Sequence, residues 1–115
     1  MKKYLFVGEK RSERAIQMNV TWVDKHLAAA PLYKALKNID ICWNDCAFLN
    51  VFEDDISDIK VFKGVVIAMG RKVERELKKH QIKHEFIYHP ATRGIVRKTE
   101  NYNNQIGRAS CRERV

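Results

Sequence analysis

The chain lacks most features that mark an extracellular, membrane-spanning or multidomain protein. Its three cysteines are an odd number without paired spacing, which argues against a disulfide framework and for a reducing compartment. No apolar run approaches the ~20 residues of a membrane span. The start Met1-Lys2-Lys3-Tyr4-Leu5-Phe6-Val7-Gly8-Glu9 meets a charge too early for a secretory signal. The expected location is therefore the cytosol, away from any membrane. Repeats and low-complexity linkers are absent, and Gly8-Glu9-Lys10-Arg11-Ser12 lacks the glycine spacing of a phosphate loop. Cys42 and Cys46 with His26 or His84 do not form a credible zinc set, so no metal or other cofactor is expected. At 115 residues the chain holds one core and one domain, expected to be a monomer.

Acidic residues are also in deficit, 14 against 22 lysines and arginines, for a net charge of +8. Part of that excess sits in the last ten residues, Ile106-Gly-Arg-Ala-Ser-Cys-Arg-Glu-Arg-Val115, which resemble residue for residue a translated short-read sequencing adapter. Such a tail is set aside from fold reasoning, giving a single domain over residues 1–105 that is truncated at its C-terminus, followed by an adapter-like tail over 106–115. Arg108, Arg112 and Arg114 less Glu113 account for two charges, leaving +6 for residues 1–105. An anionic partner is still implied.

Tyr4-Leu5-Phe6-Val7, ending at Gly8, reads as a buried strand followed by a tight turn. Residues 9–20 start highly charged and become helical in character, with Ala15, Ile16 and Met18 as candidate core contacts. Thr21-Trp22-Val23-Asp24 has the form of a capping box, with Leu27, Ala28, Leu32, Ala35 and Leu36 following at helical spacing. That spacing predicts a helix to about Lys37, kinked or divided at Pro31. Cys46-Ala47-Phe48-Leu49-Asn50-Val51-Phe52 predicts a second strand buried on both faces, and Gly64-Val65-Val66-Ile67-Ala68-Met69-Gly70 a third. A helix from Arg71 to His80 should turn Val73 and Leu77 inward, with Lys72–Glu76 and Glu74–Lys78 pairs on its wet face. His84-Glu85-Phe86-Ile87-Tyr88 reads as the fourth strand, and residues 91–105 as a last helix carrying Ile95, Val96 and Tyr102. The alternation predicts an α/β fold of three layers: a four-stranded, mainly parallel sheet with helices on both faces.

In such a sheet the residues just after each strand converge on one edge. Gly8-Glu9, Asn50, Met69-Gly70-Arg71 and His89 would share a crevice rimmed by Lys10, Arg11, Arg71, Arg93, Arg97 and Lys98. His89-Pro90 marks a strand exit constrained by proline, which fixes its own φ and disfavours helix at the residue before it. Asn50 stands out because an amide ending a wholly apolar strand must find a buried partner or face a site. A carboxylate can orient water, an amide can read a donor and an acceptor on a base edge, and an imidazole can support a developing oxyanion.

In their order, Val7-Gly8-Glu9, Phe48-Leu49-Asn50, Ala68-Met69-Gly70-Arg71 and His89-Pro90-Ala91 resemble the motifs of the uracil-DNA glycosylase superfamily, over nearly all of residues 4–98. The resemblance implies a DNA-binding protein that hydrolyses the N-glycosidic bond of a deaminated base. Glu9 would then sit in the water-activating motif, Gly8 and Asn50 would bind the base, and His89 would stabilise charge on the base O2. Lys10, Arg11, Arg71, Arg93, Gly94 and Arg97 would hold nucleic-acid phosphates. The chain departs from the pattern at Lys10, where the family usually carries its catalytic Asp or Asn, and at Ala91, where serine is common. Trp22, Trp43 and Phe52 are the candidate aromatics to stack on a base. Two alternatives stay open: a catalytically inactive nucleic-acid-binding module of the same fold, and a nucleotide-binding enzyme using the same strand-end crevice.

Overall fold

A computed structural model describes residues 2–24, 29–88 and 106. Four strands, β1 (Tyr4–Gly8), β2 (Cys46–Asn50), β3 (Val65–Met69) and β4 (Glu85–Ile87), form one sheet in the order β2-β1-β3-β4. All three pairings are parallel, so every strand delivers its carboxyl end to the same edge. The chain steps from β1 to β2 on one side and then to β3 on the other, which puts the reversal of strand order beside β1. Sites of open α/β sheets gather at such a point.

The alternation of side chains along the strands divides the core in two. Tyr4, Phe6, Ile67, Met69 and Ile87 point to one face, where Leu32, Ala35 and Leu36 of helix α2 (Ala29–Asn38) cover them. Leu5, Val7, Val66 and Ala68 point to the other, beneath Ile59 of the short helix α3 (Ile56–Lys60) and Val73 and Leu77 of helix α4 (Arg71–Lys79). The three-layer α/β architecture follows from this. Fully buried Leu and Ile side chains such as Leu32, Leu36, Ile67 and Leu77 each stabilise by roughly 1.5–3 kcal/mol through area removed from water. Ile106, the first of the adapter-like residues, is also fully buried in the α2-side core.

Several local expectations are corrected. Helix α1 (Glu13–Met18) exists, capped by the Ser12 side chain accepting from the Ala15 N–H, but Ile16 and Met18 are exposed because this helix has no buried residue. The Thr21 box closes only a single 3-10 turn, Trp22–Asp24, in which the Asp24 carboxylate accepts from the Thr21 backbone at 2.7 Å. Pro31 does not kink a helix. It sits in the first turn of α2, where its missing N–H has no intrahelical acceptor to lose. Leu27 and Ala28 lie outside the described residues, as does the helix expected over 91–105.

Strand β2 stops at Asn50, and at the sheet edge it is only half-buried between its ends. Phe52 is exposed. The expected Lys72–Glu76 pair is replaced by Lys72–Glu9 at 3.8 Å and His80–Glu76 at 3.3 Å, whereas Glu74–Lys78 is present at 4.0 Å. Cys42 is exposed and Cys46 buried, both free thiols. Burial, with Asp45 and Cys42 nearby, pushes the Cys46 thiol up to about 12, which makes it a packing group in place of a nucleophile.

Gly70 joins β3 to α4 with φ 104° and ψ 163°, a region open in practice only to glycine. From there its N–H donates to the Ile87 carbonyl at 2.9 Å, tying the exits of β3 and β4 together. Gly70→Ala is expected to lower unfolding free energy by roughly 1–3 kcal/mol. Urea denaturation checks this as a lower midpoint at unchanged slope.

Candidate functional site

The site is built on the adjoining ends of β1 and β2. Gly8 and Asn50 are register partners, and the pairing runs on past the strands: Val51 N–H donates to Gly8 O at 2.8 Å and Phe52 N–H to Glu9 O at 2.9 Å. The chain then turns sharply. Glu53 and Asp54 N–H groups both donate to the Asn50 carbonyl, at 3.0 and 2.8 Å, which folds these two carboxylates back over the asparagine.

Asn50 is the one buried polar residue among the described residues, 8% exposed. Its polar groups are answered individually. The Trp22 indole Nε1–H donates to Oδ1 at 3.0 Å, Nδ2 donates to Glu53 Oε1 at 3.0 Å, and the backbone N–H donates to Asp54 Oδ2 at 2.7 Å. An indole N–H can only donate and a carboxylate only accept, so this pair admits one orientation of the amide. Glu53 is fixed in turn by Arg11, whose backbone N–H donates to Oε1 and whose Nε lies 3.3 Å from Oε2. Burial by itself would push the Glu53 carboxyl up. The Arg11 backbone and guanidinium together with the Asn50 amide outweigh it and hold the carboxyl below its usual range. A depressed carboxyl contributes stability above its unfolded pKa and loses it as pH falls through the lower folded value. The contacts around Asn50 are thus intact at neutral pH and loosen only in acid.

Glycine at position 8 is a steric requirement of this cluster. A Cβ there would stand 2.8 Å from Asn50 Oδ1 and 3.1 Å from the Trp22 ring, closer than real Cβ contacts come. The amide and the indole occupy the space that any other residue's side chain would need.

A cavity of about 390 Å³ opens beside this cluster, its lining including Arg11, Trp22, Phe48, Asn50, Glu53 and Asp54. That volume lies within the ~300–1,000 Å³ of small-molecule sites. Trp22 and Phe48 stack with centroids 6.1 Å apart, and Phe48 contacts Phe6 and Trp43 behind it. Two aromatic faces and an amide thus share one wall. Of the expected stacking residues, Trp22 lines the cavity, while Trp43 supports Phe48 from behind and Phe52 is exposed outside.

The other expected site residues are distributed more widely. Glu9 lies beside the cluster in sequence, but its carboxylate reaches to Lys72 of α4 and lies outside the cavity lining. Lys10 is exposed. Arg11 lines the cavity as the partner of Glu53. Arg71 pairs with Glu74 at 3.4 Å and lies over the Phe86 ring, 4.4 Å from its centroid. It belongs to the β3–β4 end of the same edge. His89, Arg93, Gly94, Arg97 and Lys98 lie outside the described residues.

The sequence reading missed Glu53 and Asp54, although Glu53-Asp54-Asp55 directly follows the apolar run and could have been read as a turn bringing carboxylates back to Asn50. It also missed Phe48, hidden as one apolar residue of a strand. Among the described residues no group of three metal-ligating side chains occurs.

Trp22→Phe keeps a ring in the cavity wall and removes the one donor to Asn50 Oδ1. Leaving that oxygen unanswered is expected to lower stability by about 1–3 kcal/mol, measured by denaturant titration beside Phe52→Ala, an exposed aromatic position expected to change stability by under about 0.5 kcal/mol. No protein-family model, curated protein or solved structure matches the chain, so what the site does rests on these side chains.

Proposed function

We propose that the cavity beside Asn50 receives a pyrimidine base turned out of DNA, in a protein of the uracil-DNA glycosylase kind. The observation that carries this reading is the Asn50 amide, buried at a parallel strand's carboxyl end in the wall of a cavity shared with Trp22 and Phe48. Among the described residues its contacts use one of two Oδ1 lone pairs and one of two Nδ2 hydrogens. A neighbouring acceptor and donor remain to read a base edge, and the aromatic faces offer stacking worth about 1–3 kcal/mol per base. Base flipping delivers such an edge to a pocket that could not reach it inside a duplex.

In the hydrolytic form of this reading, water attacks the sugar as the glycosidic bond breaks, Glu9 steers that water, and His89 supports the departing base. Lys10, Arg11, Arg71, Arg93, Gly94 and Arg97 face the phosphates. A specific observation favours a second reading, a base-binding module without the chemistry. The Glu9 carboxylate is paired with Lys72 outside the cavity lining, and Lys10 occupies the position where the family carries its usual acid.

Fluorescence anisotropy with a uracil-containing single-stranded oligonucleotide tests the shared claim. Binding should weaken steeply with salt, as phosphate contacts require, and Asn50→Ala should weaken it by about 10-fold or more, the loss of one to two hydrogen bonds. Affinity unaffected by Asn50→Ala would remove the reading. Incubation of the same complex, followed by alkaline cleavage, separates the two forms: strand scission marks an abasic product and hydrolysis, while an intact strand marks the binding module.

A further inference from the structure

We infer that Glu53, clamped by Arg11, is a specificity-determining positioning residue: it locks the Asn50 amide in one orientation and so makes the cavity accept an imide edge, as in uracil, and refuse the edge of cytosine. The inference rests on the base-binding reading and deepens it. An asparagine amide is nearly symmetric in shape and opposite in chemistry at its two ends. Rotated by half a turn it would exchange acceptor for donor with almost no change in volume. A base stacked in a fixed pose meets either Oδ1 or Nδ2 at a given point. Uracil presents N3–H beside the C4 carbonyl, a donor next to an acceptor, and cytosine presents N3 beside a C4 amino group, the reverse.

An amide free to rotate would suit both bases equally. Here rotation is opposed at both ends. Turning it over would set Nδ2 against the Trp22 indole N–H and Oδ1 against Glu53 Oε1, donor to donor and acceptor to acceptor, at the sites that now carry two hydrogen bonds of 3.0 Å. Trp22 alone would oppose the turn at one end. Glu53 supplies the other, and does so with a full charge whose position is set by Arg11 through both carboxylate oxygens. Gly8 adds a steric limit, because Asn50 Oδ1 and Trp22 already fill the space above its Cα. Glu53 reaches the ligand only through Asn50, so removing it should alter the choice of base more than the ability to bind DNA.

The test compares single-stranded oligonucleotides identical except for one central uracil or cytosine, titrated against the full chain. The variants are Glu53→Gln, which keeps one neutral acceptor, and Glu53→Met, which keeps none at similar length. The wild type is expected to prefer uracil by about 100-fold, the discrimination available to a site whose buried polar groups are left mispaired by the wrong base. Glu53→Gln should reduce the preference partly. Glu53→Met should bring it to within about 10-fold, chiefly by improving cytosine binding, while salt dependence stays unchanged. A merely structural role would weaken both oligonucleotides together and leave the ratio intact. If either variant fails to fold by circular dichroism, Arg11→Gln, which loosens the clamp while leaving the carboxylate in place, should shift the ratio in the same direction. A preference for uracil that survives all three substitutions, while Asn50→Ala abolishes it, overturns the lock and leaves the base-binding reading standing. A wild type that binds both oligonucleotides equally, with no effect of Asn50→Ala, removes the reading and the inference with it.

Discussion

A side-chain amide buried at the end of an apolar strand has to be answered at both ends, and this requirement organises the carboxyl edge of the sheet. Leaving a buried amide group unpaired costs about 1–3 kcal/mol, a sizeable share of a small domain's total stability. Around Asn50 the chain meets that demand with groups from three separate segments: the indole of the 3-10 turn after α1, the carboxylates of the turn after β2, and Arg11 from the exit of β1. Each of these segments is irregular, and each is pinned because Asn50 is where it is. The cavity is the space left between them.

The sheet makes such a demand possible. Parallel strands whose side chains alternate between two covered faces have no wet face on which to place polar groups, so polarity is displaced to the strand ends. The two cores make the displacement visible. Residues 4–7 and 65–69 are apolar throughout, sharing their side chains between the α2 face and the α3–α4 face, and polar or glycine positions appear where those runs stop, at Gly8, Asn50 and Gly70. The edge position of β2 leaves its middle half-buried. This lets Phe48 and Trp22 form a wall, one face on the core and the other on the cavity.

Legibility in the sequence followed the strength of the local physics. Continuous apolar runs of strand length located all four strands, and the 3.6-residue spacing of Val73 and Leu77 located α4, because burial on both faces leaves few other ways to place such runs. The helix after Thr21 was misread because a capping box is a local signal and Pro31 was taken as an interruption, when a proline in a first turn marks a beginning. Ile16 and Met18 looked like core residues by type, but α1 lies on the surface, and apolar side chains are common there. Within the site, Asn50 and Gly8 were legible since an amide or a glycine ending an apolar run is out of place on its own. Glu53 was not. Its role depends on a turn that brings it back over Asn50 and on Arg11, 42 positions away in the chain, and no local pattern encodes that meeting. The pairing of Glu9 with Lys72 is of the same kind, a tertiary choice that redirected a carboxylate expected in the crevice.

Solution NMR of the uniformly 15N-labelled protein tests the central cluster most directly, through the Trp22 Nε1–H and Asn50 Nδ2–H₂ resonances. The expected result is a cross-relaxation peak from the Trp22 indole proton to the Asn50 side-chain amide, with both groups exchanging slowly with water and the two Asn50 amide protons well separated in shift. An indole proton exchanging at the rate of a free tryptophan, with no peak to Asn50 and a rotating amide, would contradict it.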